Sequence, residues 1–453
     1  MLDSIPILNT VQTSQLSILL ETVRELTADS ISEWHQPLAE EIHAAASSIE
    51  RLMVSANQQA LAGELVQKMQ EKQQVILNTL CPPLKVLQKL AESGHLNDAQ
   101  RATLLIKLGK TYDLLTQWDI ALDQFYQALD YCKEDLSQKA MVLKAIGRIK
   151  SKHRDFSEAN KQYQASLAIY EEIEELYWVA QLYINMGWNE FQSDNYSAAE
   201  ENYNKALEIA EATEDAERLI ADVHMNFAIL ATVRGDFQPA LSYYETSVEA
   251  YTLIDDERGL AHVHYNMAML YVDLKRWQDA GAFYQKSLEY AQKLMNLHLM
   301  GHIYLSYTEL ALKLSDLELA QGCCMHAIKT FGLLGSQSQL AEAYKYSAQV
   351  QHRRKNWSKA DIFFQRSIET AVECKSRLNQ AEAQYEYALC LLDNPQPDKE
   401  KARDRLNEAM KIFTELEAKA DIDNTQAALD RIAESQKATA PRRRFTRINQ
   451  KIA

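Results

Sequence analysis

The chain has 453 residues, more than one hydrophobic core normally organises. With only 12 Gly and 8 Pro against 47% hydrophobic residues, it reads as an ordered, mostly helical protein, not a disordered or collagen-like one. The net charge of −15 disfavours a nucleic-acid-binding body, and no apolar run approaches the ~20 residues of a membrane span.

Residues 1 to about 100 show helical apolar spacing at Leu16-Leu19-Leu20-Val23 and at Ile49-Leu52-Met53. A Gln/Glu/Lys-rich stretch from Ala60 to Leu80 follows, and Cys81-Pro82-Pro83 stops it. This region is expected to form a bundle or hairpin of long helices. The start, Met-Leu-Asp-Ser-Ile-Pro, lacks the basic and apolar parts of a signal peptide, so a cytoplasmic location is expected.

From residue 101 to about 416 the chain repeats itself. Ala121, Ala159, Ala199, Ala240, Ala280, Ala320, Ala360 and Ala402 recur at intervals of 38 to 42 residues. Such a period marks helix pairs that stack on their neighbours. Twelve residues before the alanine stands Gly109, Gly147, Gly187, Ala228, Ala268, Thr308 or Ala348. Four after it stands Phe125, Tyr163, Tyr203, Tyr244, Tyr284, Cys324, Phe364 or Leu406, and seven after it a Ser or Ala. Three before it an aromatic recurs in six of the units, Trp118 being the first. Small residues let two helices approach, and bulky ones fill the space beside the crossing. Thr308 and Cys324 depart from their columns, and Asp393–Asp398 stretches the last unit. The turn dipeptides Asp194-Asn195, Gly235-Asp236 and Lys355-Asn356 suit helix capping.

These columns, as in Leu108-Gly109-x-x-Tyr112 through Ala128, resemble the tetratricopeptide repeat. The longer unit is similar to the subclass found in kinesin light chains, LGN/Pins polarity adaptors and bacterial Rap-type regulators. The resemblance implies an all-α fold: a right-handed α-solenoid of eight helix-turn-helix units over 101–416, preceded by the helical region 1–100. A capping helix over 417–436 and a basic, disordered tail over 437–453 would complete the chain.

In that family a stripe on the first helix of each unit lines a concave groove. Positions i, i+4, i+7 and i+11 share one helical face. They place Gln181, Asn185, Trp188 and Gln192 together, then Asp222, Asn226, Ile229 and Val233 in the next unit. Next come His262, Asn266, Met269 and Asp273, followed by His302, Ser306, Glu309 and Lys313, and then Glu342, Tyr346, Gln349 and Arg353. The column Asn185, Asn226, Asn266 has two readings. Carboxamides both donate and accept, so a ladder of them could hold the backbone of an extended peptide, or each could bond within its own scaffold. In the resembled adaptors an asparagine ladder at the matching place holds peptide backbone. Trp188, Tyr265 and Met269 are candidate anchors.

His262 and His302 share a column and could read a carboxylate or titrate near neutral pH. No ligand joins them at defined spacing, so no metal is expected. Cys323-Cys324-x-His326 spreads around a helix and is read as chance. His224 and His264 fall on another face. Lys107, Lys110, Arg148 and Lys152 supply cations in the first two units only, too few for a clamp on acidic chaperone tails. The tail bears Arg442, Arg443, Arg444 and Arg447; its six basic residues from Lys437 onward face a remainder at −21. It is either a solvated end or a contact to an anionic surface, the chain's own body included.

No Walker loop, dinucleotide fingerprint, nucleophile elbow or H-E-x-x-H occurs, and no cofactor is expected. The expected function is a non-enzymatic adaptor binding a peptide-like segment of another protein in the groove. Two alternatives stand: a regulatory switch in which a small peptide repositions the N-terminal helices, and a structural subunit of a larger assembly. Self-association through the N-terminal helices is a further expectation.

Overall fold

The computed structural model describes residues 17–22, 44–45, 83–115, 117–132 and 134–439. Leu16, Val23, the stretches 46–82 and 440–453 lie outside the described residues, and with them most of the expected N-terminal bundle and the arginines of the tail. Two compact units divide the chain, 1–303 and 304–453.

The described residues hold helices and turns and no strand. In chain order the long helices are α1 (Asp98–Leu114), α2 (Trp118–Tyr131), α3 (Leu136–Lys152), α4 (Phe156–Glu172), α5 (Leu176–Gln192) and α6 (Tyr196–Glu211). They continue as α7 (Glu217–Arg234), α8 (Phe237–Leu253), α9 (Glu257–Asp273), α10 (Trp277–Lys293), α11 (Leu297–Lys313) and α12 (Leu317–Leu334). The last are α13 (Gln337–Arg353), α14 (Trp357–Glu373), α15 (Arg377–Asp393), α16 (Lys399–Glu415) and α17 (Lys419–Thr439). Odd-numbered helices pack on the following even-numbered ones through the first unit, and α13 with α14 and α15 with α16 do so in the second.

The period has a local cause. Most helices have 17 residues and most turns three, so two of each make the forty-residue unit. The middle turn residue takes the left-handed conformation, as at Arg154 (φ 61°), Asp194 (φ 59°), Lys275 (φ 58°) and Lys355 (φ 58°). Paired backbone bonds close each turn. Asn195 N–H donates to Glu190 C=O at 2.9 Å and Asp194 N–H to Phe191 C=O at 3.1 Å. This is the Schellman arrangement, and its last residue is already the N-cap of the next helix. The side chains of Asn195, Asp236 and Asn356 make no cap bond, contrary to the expectation for those turns. Side-chain caps occur instead at Asn97, Asp135, Asp155, Asp256, Asp316 and Asp398.

The recurring aromatics Trp118, Phe156, Tyr196, Phe237, Trp277 and Trp357 are each the first residue of a second helix. The glycine column meets the aromatic column directly. A Cβ on Gly109 would come within 2.7 Å of Phe125, and on Gly147 within 2.6 Å of Tyr163. The column of Ser and Ala acts through a repeated bond. Ser166, Ser247, Ser287 and Ser367 donate to the carbonyls of Ala140, Ala221, Ala261 and Ala341 at 2.7 to 2.9 Å, always 26 residues back.

At the N-terminal side Leu19, Leu20, Leu84, Leu87 and Leu90 join the buried cluster of α1 to α3. Residues 83–92 are helical. Asn97 and Gln100 form a capping box at the start of α1. In the second unit α17 buries Ala428 and Ile432 against Ala388, Ala402 and Leu406.

Candidate functional site

In the first unit α5, α7 and α9 carry Asn185, Asn226 and Asn266. Asn226 is 8% exposed and the other two are half-buried. None of the three carboxamides is hydrogen-bonded within the described residues. Asn189, one turn from Asn185, behaves differently. It accepts from Ser151 at 2.6 Å and donates to Asn160 at 2.7 Å, tying α3, α4 and α5 together. One asparagine on this helix is therefore scaffold, and the other is not.

Beside the ladder, Trp188 is 38% exposed and stacks on Phe191 at 5.5 Å. Met269 is exposed, and Tyr265 lies 6.0 Å from the Tyr284 ring. Gln181 is half-buried. Asp222, which shares the stripe, is taken by the Tyr251 hydroxyl, and burial lifts its carboxyl above the usual range. Burial, then Arg258, pushes the His262 imidazole below its ordinary value. Burial and neighbouring His298, stacked 6.2 Å away, do the same to His302. In both rings the shift favours the neutral imidazole. His264 is buried, donates from Nδ1 to the Leu260 carbonyl at 2.6 Å and stacks on Phe283. His224 leans on Tyr243.

The second unit contains a groove of about 1250 Å³. Glu309, Lys313, Tyr346, Gln349 and Arg353 line one part of it, and Tyr385 of α15 another. Lys313 pairs with Glu309 at 2.8 Å, and Tyr346 donates to the same carboxylate at 3.4 Å. Arg353 donates to the Leu312 carbonyl at 3.2 Å. Lys345, 9% exposed at its side chain, is paired with Glu382. Burial raises the neighbouring Glu342 carboxyl, with Lys345 opposing. The lining thus contains the charge pairs Lys313–Glu309 and Lys345–Glu382, together with two tyrosines and a glutamine.

Two of the cations in the first two helix pairs are committed to the scaffold. Arg148 and Lys152 both bind Asp113, at 2.6 and 2.7 Å, and Asp113 is 4% exposed. Two lysines stand beside them, Lys110 of the stripe and Lys144, which lies outside it. Lys144 lies 3.2 Å above the Trp178 ring, and Lys110 donates to Met141 Sδ at 2.9 Å. The available signal was register: Lys144, Tyr265 and Lys345 each precede the small column residue by three. No cluster of three or more His, Cys, Asp or Glu side chains suited to a metal occurs among the described residues. Cys323 and Cys324 are buried free thiols and His326 stacks on Tyr304 at 4.8 Å. No described helix is long and apolar enough to cross a membrane.

Residues 138–212 and 219–293 match the family model for the tetratricopeptide repeat. No curated protein matches the chain. The crystal structure of a Signal Transduction ATPase with Numerous Domains from Pyrococcus horikoshii, with a tetratricopeptide repeat sensor, is 13% identical. It superposes with a TM-score of 0.54 over 95% of this chain and 60% of that one. The apo form of the quorum sensor NprR from B. thuringiensis is 16% identical with a TM-score of 0.51, over 77% of this chain and 99% of that one. At such identities the likeness concerns the fold.

Proposed function

We propose that this chain, a tetratricopeptide-repeat protein, is a non-enzymatic adaptor that holds an extended segment of a partner protein on the inner stripe of its first helices. The observation that carries the reading is the ladder Asn185, Asn226, Asn266. These are three carboxamides in equivalent register, none bonded to the described scaffold, next to the exposed Trp188 and Met269. A backbone amide offers one donor and one acceptor per residue, which a carboxamide matches whatever the partner's side chains. Each such bond contributes about 0.5–1.5 kcal/mol net, so affinity would rest on the ladder together with its aromatic and methionine anchors.

The test compares wild type with N185A/N226A/N266A in affinity capture from cell lysate, with a thermal melt of each. A partner captured by wild type and lost by the variant at equal melting temperature supports the groove. Equal capture by both would move the contact elsewhere and favour a structural subunit.

A regulatory switch is the second reading. It is favoured by the docking of Leu19, Leu20 and helix 83–92 onto the core of α1 to α3, which joins the N-terminal segments to the first repeat. Both solved structures named above are described as sensors. Ligand-dependent compaction in small-angle scattering would support it, and an unchanged profile on saturation would count against it.

A further inference from the structure

Two ammonium groups in the first unit lack counter-ions. Lys110 and Lys144 form no ion pair within the described residues, although both are half-buried. The acceptor of Lys110 is a thioether, a weak one. Lys144 rests on the face of Trp178, itself stacked on Tyr170 at 6.2 Å. Arg148 stands near both lysines and Lys107 near Lys110. Asp113, the buried acid of this region, is occupied by Arg148 and Lys152. The cluster therefore has more positive charge than its surroundings answer, in a partly desolvated place walled by aromatic rings.

We infer that Lys107, Lys110, Lys144 and Arg148 form a binding site for the phosphate of a phosphomonoester, with Trp178 as its apolar wall. A phosphomonoester carries about −1.5 to −2 charge near neutral pH and three acceptor oxygens, which serves two unpaired ammonium groups at once. A single carboxylate serves one. The exposed edge of Trp178 adds a surface for the group that bears the phosphate. The site needs only this cluster and is independent of the asparagine ladder.

A consequence distinguishes the site from ordinary surface charge. Burial, then the neighbouring cations, lower the Lys144 ammonium to about 7 and that of Lys110 to about 8. A bound dianion reverses both effects of charge, so binding near pH 7.5 takes up protons.

The experiment is isothermal titration of the full chain at pH 7.5 with inorganic phosphate and with glycerol phosphate, in two buffers of different ionisation enthalpy. Acetate at matched ionic strength is the comparison. Saturable phosphate binding with net proton uptake is expected, and K110M and K144M should each weaken it about ten-fold. K144R keeps the charge without the lowered ammonium, so it should bind phosphate with less proton uptake. No saturable binding by folded wild type would overturn the inference, as would acetate binding equal to phosphate or indifference to both methionine variants. A phosphoserine peptide titrated alongside tells the source. Tighter binding than glycerol phosphate supports the site with a phosphorylated protein as its ligand, and equal binding supports it with a small phosphomonoester.

Discussion

Thr308 and Cys324 divide between them the volume that other helix pairs divide as glycine or alanine against an aromatic ring. Thr308 is the bulkiest member of the small column, and Cys324 is the smallest of the bulky one. Both are fully buried, and the Thr308 hydroxyl donates to the Tyr304 carbonyl at 2.7 Å. The larger residue on one side of this crossing offsets the smaller one on the other.

A mutant cycle tests this trade. C324Y alone should overpack the crossing and destabilise by about 1–3 kcal/mol. T308G alone should leave a cavity and lose a few tenths of a kcal/mol of helix propensity. The double variant restores the pattern of Gly187 with Tyr203, and the coupling should exceed ~1 kcal/mol. Chemical denaturation of the four proteins gives the answer, and simple additivity would sink the idea.

Gly259 lies outside the recurring columns, yet a Cβ there would overlap the ring of Tyr251. That ring is buried and its hydroxyl is committed to Asp222. G259A should therefore cost about 1–3 kcal/mol despite the better helix propensity of alanine. Urea unfolding monitored by circular dichroism checks it, and an unchanged midpoint would mean the ring has room.

The left-handed turn residues offer the opposite effect. Lys275 has φ 58° and no Cβ-free conformation to use. A left-handed residue other than glycine costs about 1–2 kcal/mol, and glycine's own entropy returns about 0.5–1 of it. K275G should raise the melting temperature slightly and K275V should lower it. The reverse order would refute the assignment of strain.

Acid should destabilise the first unit through its histidines. Burial is the first cause that holds His262 and His264 below the ordinary imidazole value of about 6.5. The unfolded chain then takes up protons first on acidification. Stability is full above about pH 6.5 and is lost as pH falls from there through the depressed folded values. Urea midpoints at pH 7.5 and 5.5 should differ, and H264N should narrow the gap. Lys144 acts in a separate window. Its folded value of about 7 against 10.5 makes stability rise with pH between those limits.

The helix pairs were legible because the alanine, glycine and aromatic columns are steric requirements of one backbone crossing, met within each unit. Buried Leu19 and Leu20 were legible from their helical apolar spacing. The pairing of two cations was hidden because their partner stands about one unit away: Asp113 binds Arg148 and Lys152 from 35 and 39 residues before them. A search for opposite charges at the repeat distance would have found that network. The role of Ser166, Ser247, Ser287 and Ser367 was equally hidden, because alanine fills the same column and only the carbonyl 26 residues back distinguishes them. For the stripe, the sequence placed Asn185 and Asn189 on one helix, and the bonds to Ser151 and Asn160 separate their roles.

The shared turn residue has a further effect on how this chain can change in length. One residue added inside a helix would rotate everything after it by about 100° and turn the buried face outward. One added between helices leaves every face where it was. The two intervals longer than forty residues follow that rule. The stretch between Ala199 and Ala240 contains a five-residue connection before α7, and that between Ala360 and Ala402 another before α16. Loops grafted at 212–216 or 394–398 should be borne without loss of order, which makes these two joints the natural places to insert a reporter or a tether.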